Sequence, residues 1–109
     1  MKKESYPKAL SSLHKPSIVW LEGDGNYSRI HLADGRYESL PYTLKILEEK
    51  LPAFVRIHKS SLVNPIYIQE IRNWGQKSYY LKLTSGQVLV VSSKRLSELE
   101  KNLNLKLVS

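Results

Sequence analysis

Four glycine-bearing turn signals cut most of this chain into runs too short for long helices. Gly23-Asp24-Gly25, Ala33-Asp34-Gly35, Gly75-Gln76 and Ser85-Gly86 each combine residues that tolerate the dihedrals of a tight reversal. Ile18-Val19-Trp20-Leu21, before the first of them, is apolar and β-prone. Residues 26–32 then alternate, with Tyr27, Arg29 and His31 facing one way and Ser28, Ile30 and Leu32 the other. Residues 36–40 can return as a third strand, so this segment predicts a β-meander.

The pattern becomes helical in two places. Pro41 suits a first helical turn, Leu44, Leu47 and Leu51 recur on one face, and Pro52 ends the run. The expectation is an amphipathic helix of about three turns, its apolar face covering a sheet. Near the end, Ser92-Ser93 can cap a second helix with Leu96, Leu99 and Leu103 as its apolar stripe. Between the two, residues 54–57 read as extended and His58-Lys59-Ser60-Ser61 as a polar insert. Leu62-Val63-Asn64-Pro65 reads as a turn, and residues 66–74, 78–84 and 87–91 read as strands. Residues 1–16, with two prolines and no sustained period, read as a short lead-in to a single domain over 17–109. Residues 104–109 alternate leucine with polar residues and allow a last short strand.

Composition excludes several classes. With 109 residues there is room for one core but not for a substrate domain beside a cofactor domain. Hydrophobic residues make up 41% and charged residues 25%, which argues against wholesale disorder. No apolar run approaches the length of a membrane span, and the lysines at the start are not followed by a signal-peptide core. The absence of cysteine removes disulfides and thiolate metal sites. A cytoplasmic location is the default expectation.

Charge is more informative. Seventeen Lys and Arg against ten Asp and Glu give +7. The excess grows along the chain, from six basic and five acidic groups in residues 1–40 to six and two in residues 76–109. Such a balance favours polyanions through phosphate neutralisation, although a well-solvated surface also accounts for it.

Catalysis finds little to use. His14, His31 and His58 are far apart in sequence, with none at the spacing of a helical metal pair. Gly23 and Gly25 spell part of a phosphate-loop motif but lie between strands, and Glu48 and Glu49 diverge on their helix. No enzyme, cofactor or small-molecule substrate is expected.

Polar donors instead gather in three clusters at turns or strand ends: Asn26-Tyr27-Ser28-Arg29, His58-Lys59-Ser60-Ser61 and Ser92-Ser93-Lys94-Arg95. Each sets hydroxyls or amides beside a cation, the groups that hold phosphate oxygens and read base edges. Singly, each cluster reads better as a solvated turn or a helix cap than as a binding site. Their recurrence in one small basic domain points to nucleic acid, without establishing that they share a face.

These residues also carry a family resemblance. Ile18-Val19-Trp20-Leu21-Glu22 with Asn26-Tyr27, then Gly35, the helix at 43–51, and Leu83-Thr84-Ser85-Gly86-Gln87-Val88-Leu89-Val90-Val91-Ser92 resemble the LytTR family. This is the DNA-binding domain of bacterial LytR/AlgR-type response regulators. The most diagnostic stretch is Phe54-Val55-Arg56-Ile57-His58-Lys59-Ser60-Ser61-Leu62-Val63-Asn64. The resemblance covers residues 15–104.

The resemblance implies a mainly β (α+β) fold: an elongated stack of small antiparallel sheets, one helix packed between sheets, and a C-terminal helix. It implies loops inserted into successive major grooves of double-stranded DNA, with a second copy of the chain on an adjacent site. Carried over by position, base contacts fall at Ser28 or Arg29, at Lys59 and at Lys94. Ser60 and Arg95 fall at phosphate or positioning contacts, with Asn26 and His58 as further candidates. Arg56, Asn64 and Glu22 are read as scaffold, and Trp20, Trp74 and Tyr79 as core or sheet cover. Family members usually carry a receiver or sensor domain ahead of this module. None is present in this chain, which reads as a stand-alone regulator or an excised domain. The alternatives are a non-enzymatic module that docks an acidic protein partner and a non-specific RNA or chromatin binder.

Overall fold

A computed structural model describes residues 13–75, 78–96 and 99. Among these residues eight strands form two antiparallel sheets, so the expected mainly β class holds. The strands are β1 (Ile18–Asp24), β2 (Tyr27–Leu32), β3 (Tyr37–Leu40), β4 (Val55–His58) and β5 (Ser61–Val63), then β6 (Ile68–Gly75), β7 (Ser78–Leu83) and β8 (Val88–Val91). One helix, α1 (Leu44–Lys50), lies between β3 and β4 in the chain, and residues 93–96 begin another. The first sheet has the order β3-β2-β1-β5-β4 and the second β6-β7-β8. The fold extends 50 × 27 × 25 Å, elongated as expected.

A register shift in β1 sorts the core into two. Between Ile18 and Trp20 the pairing with β2 slips, and such a bulge lets neighbouring residues share a face. Val19 and Trp20 both join Ile57 and Val63 in packing against the second sheet, through Ile71, Leu81, Leu83, Leu89 and Val91. Leu96 and Leu99 belong to this same core. Ile18 and Leu21 turn the other way, joining Ile30, Leu40 and Leu62 against Leu44, Leu47 and Leu51.

In one particular the layer order differs from expectation. The helix covers the face of the five-stranded sheet opposite to the second sheet, rather than lying between the two. The cause is the two-sided apolar content of β1 and β5, which makes the five-stranded sheet the middle layer.

Local boundaries also shift. β1 runs through Gly23 to Asp24, which pairs with Tyr27, so the reversal is the two-residue Gly25-Asn26 turn. Gly25 sits there at a φ of 65°, a conformation that costs glycine little. Helix α1 has seven residues, shorter than expected, and Pro41 lies outside it. Thr43 is the cap, its Oγ1 accepting from the Ile46 amide at 3.5 Å. Leu62 and Val63 do not turn the chain: they belong to β5, a central strand paired with both β1 and β4. The turn follows them, where Asn64 caps a short 3-10 segment at Pro65–Tyr67. Residues 1–12, 103 and 104–109, with the possible last strand, lie outside the described residues.

Candidate nucleic-acid interface

Two backbone hydrogen bonds gather the polar clusters at one end of the five-stranded sheet. The Gly23 amide donates to the Ser60 carbonyl at 2.9 Å, docking the β1–β2 turn beside the β4–β5 turn. The Ser92 amide donates to the Ile57 carbonyl at 2.7 Å, bringing the end of β8 and the following helix start to the other side. The β4–β5 turn, His58-Lys59-Ser60, is therefore the middle of three. Gly23 has no side chain to hold this approach apart; a Cβ there would lie 3.2 Å from Leu44 Cδ1.

Two open hollows meet at this turn. His58, Lys59, Ser92, Lys94 and Arg95 line one. Gly23, Gly25, Thr43, Lys45, Arg56, Lys59 and Ser60 line most of the other, so Lys59 borders both. Together they present five cationic side chains and no carboxylate. Lys45 and Arg56 enter this surface unforeseen as contributors. The sequence signal for Lys45 was its place on the first turn of a helix, off the leucine stripe.

Arg56 sets the shape of the middle turn. Its Nε donates to the His58 carbonyl at 2.9 Å and its Nη2 to the Lys59 carbonyl at 2.6 Å. Its Nη1 donates to Glu48 Oε1 of α1 at 2.7 Å, and the guanidinium side chain is only 14% exposed. The turn is thus fixed from beneath while Lys59 stays exposed. His58 braces it from within: its Nδ1 lies 2.9 Å from Ser60 Oγ and accepts from the Ser60 amide at 3.2 Å.

The first cluster contributes less than the sequence suggested. Asn26 is exposed in the β1–β2 turn. Ser28 is 1% exposed and its Oγ donates to the Tyr42 carbonyl at 2.7 Å, so in this structure it reaches neither a phosphate nor a base. The correction follows from alternation in β2, which turns Ser28 inward with Ile30 and Leu32. Arg29 occupies the opposite face and is held by Glu22 at 3.2 Å and Asp24 at 3.4 Å, over the Tyr37 ring. It is absent from both hollows.

Beside Arg29, His31 Nε2 lies 3.0 Å from Glu22 Oε1 and its ring stacks on Trp20 at 4.5 Å. The His31 hydrogen bond, joined by those of Arg29, holds the Glu22 carboxyl below the usual glutamate range. Glu22 thus braces β2 across the strand pair, a scaffold role.

Of the aromatics read as core or sheet cover, Trp20 is buried and Tyr79 half-buried against the core. Trp74 is not: it is 72% exposed, packing edge-on against Tyr80 at 5.0 Å. Gly75 follows it at the end of β6, whose last three residues are all exposed. Val88 and Val90 are exposed with it, on the solvent face of the second sheet. Among the described residues there is no group of three or more metal-ligating side chains and no helix long and apolar enough to cross a membrane.

Comparison with known proteins agrees with this architecture. The family described as LytTr DNA-binding domain matches residues 9–104. The sensory transduction protein LytT of Bacillus subtilis (strain 168) is 40% identical over 90 residues, which cover 81% of this chain and 37% of that protein. The CO-responsive transcriptional regulator RcoM of Rhodospirillum rubrum is 33% identical over 78 residues, 70% of this chain and 29% of that protein. The chain therefore spans little more than a third of the length of LytT. A solved LytTr DNA-binding domain from Bacillus cereus superposes with a TM-score of 0.77 at 23% identity, covering 85% of this chain and 86% of that one, and shows the shared fold. With the family match spanning most of the chain, and with this strand order and this arrangement of loops, the chain belongs to the LytTR family of DNA-binding domains.

Proposed function

We propose that this chain binds double-stranded DNA in a sequence-specific way and acts in transcription regulation, with no catalytic step. The observation that carries the reading is the end of the molecule where three loops meet around Lys59. It presents Lys45, Lys59, Lys94 and Arg95 with the hydroxyls of Thr43, Ser60 and Ser92 and no carboxylate in the lining, while Arg56 is held beneath by Glu48. Cations and hydroxyls there suit phosphate contacts, and Lys59 and Lys94 are exposed and of a residue type that reads base edges. In this reading the loops enter successive major grooves, with Asn26, Lys59 and Lys94 reading sequence and Ser60 and Arg95 on phosphate. Two copies occupy adjacent sites. Arg29, committed to Glu22 and Asp24, supports the β1–β2 pair.

The test separates affinity from stability. Lys59→Ala and Lys94→Ala are each expected to weaken binding to the preferred duplex by about 1–3 kcal/mol, the cost of a lost base contact, with an unchanged melting temperature. Arg95→Ala is expected to weaken all duplexes alike and to reduce the salt slope by about one. Full affinity in both lysine variants would remove the β4–β5 turn and the start of the following helix from the interface.

A further inference from the structure

The imidazole of His58 and a DNA phosphate compete for the same two donors. A backbone amide can only donate, so the bond from the Ser60 amide at 3.2 Å requires a lone pair on His58 Nδ1. The neutral ring consequently carries its proton on Nε2. Ser60 Oγ, 2.9 Å from that same lone pair, spends its hydroxyl proton on it. In this state both Ser60 donors point into the protein. A proton on Nδ1 reverses the arrangement. Nδ1 then donates to Ser60 Oγ, the hydroxyl proton is freed, and the Ser60 amide loses its acceptor. Two donors and one positive charge become available together at the turn between the two hollows, Ser60 lining one and His58 the other, the set of groups that holds a phosphate oxygen.

Resting on the DNA-binding reading above, we propose that capture of a DNA phosphate at Ser60 is coupled to uptake of one proton from solvent by His58. The charged groups around the ring favour such coupling. Lys59, Lys94 and Arg95 line the hollow with it. Arg56 lies behind, bound to the His58 carbonyl, with Glu48 on its far side. The cations repel an imidazolium, whereas a phosphate among them attracts it. Binding therefore strengthens as pH falls, by at most about tenfold per pH unit for one linked proton.

The experiment is calorimetric titration of the whole chain with a mixed-sequence duplex at low salt. It is run in two buffers of different protonation heat at several pH values. Expected are a buffer-dependent heat that reports uptake of up to one proton per bound chain, and an affinity that declines as pH rises. His58→Gln, which cannot titrate, is expected to lose the uptake. His31→Gln, whose ring sits on the Trp20 and Glu22 side, is expected to retain it. Duplex binding with no buffer-dependent heat, or uptake that survives in His58→Gln, overturns the coupling and leaves the DNA reading standing. Failure to bind duplex at any pH overturns both. Should His58→Gln not fold, the imidazole nitrogen signals of the unmodified chain decide. A His58 Nδ1 that gains a proton on adding duplex supports the coupling, and one that remains bare in the complex overturns it.

Discussion

Asn64 is 6% exposed, and its Nδ2 donates at 2.9 Å to the carbonyl of Ile18, 46 residues earlier in the chain. Its Oδ1 accepts from the Ile66 amide at 3.3 Å, so one side chain both ends β5 and ties it to β1. Asn64→Ala would leave a buried carbonyl without its partner, and a loss of about 1–3 kcal/mol is expected in denaturant unfolding. Glu22 makes a second prediction at this scale. Because its carboxyl is held below the usual glutamate range of about 4.5, its stabilising effect is complete above that value and lost as pH falls through the lowered one. The melting temperature of the natural chain should therefore exceed that of Glu22→Gln at neutral pH, and the gap should close in acid. A gap that persists unchanged in acid would mean that the pairing with His31 and Arg29 contributes nothing. Sequence reasoning placed Asn64 as scaffold that closes the turn before Pro65 and Glu22 as scaffold that holds the loop after it. It misplaced Ser28 because the polarity of a serine does not say whether its hydroxyl serves solvent or a distant carbonyl. Tyr42, which supplies that carbonyl, is 14 residues away.

At the scale of elements, the alternating strands were legible and the shortest strand was not. β2 and β7 carry a plain period of two, and their burial follows it. β5 has three residues, all buried, and three residues show no period. Its strand character comes from neighbours on both sides, β1 and β4, which local sequence does not display. The β4–β5 turn shows how an element becomes a site. Arg56 satisfies two of its carbonyls and anchors them to Glu48 on α1, so the pose of Lys59 depends on a side chain three residues before it. Arg56→Met is expected to lower duplex affinity as Lys59→Ala does, along with a loss of stability. Arg56→Lys, lacking the planar fork, should restore little of either. A fall in melting temperature with full affinity would show that the turn keeps its shape without the guanidinium.

For the whole molecule, charge spoke early and arrangement late. The +7 balance and its rise along the chain were visible in the sequence. That the turns bearing Asn26 and Lys59 and the helix start bearing Lys94 come to one end was not, because it rests on hydrogen bonds between distant backbone groups, Gly23 to Ser60 and Ser92 to Ile57. The five-stranded sheet carries the β1–β2 and β4–β5 turns to this end, and β8 of the second sheet brings the third cluster beside them. On its two faces, helix and second sheet bury separate cores, while the start of the helix and the end of β8 add Lys45 and Ser92 to the surface at that end. The diagnostic motif at 54–64 was the link between the two scales, since it named the middle turn before the geometry assembled the others around it.

Selection of binding sites from random duplex DNA tests most directly whether this assembled end reads sequence. It is best run at about 150 mM salt, where non-specific affinity is weak. Enrichment of a short motif is predicted, present in two copies at a spacing near one helical turn and lost from the pool selected by Lys59→Ala. A folded chain that enriches no sequence would contradict that prediction and point to an acidic protein partner for the same cationic surface.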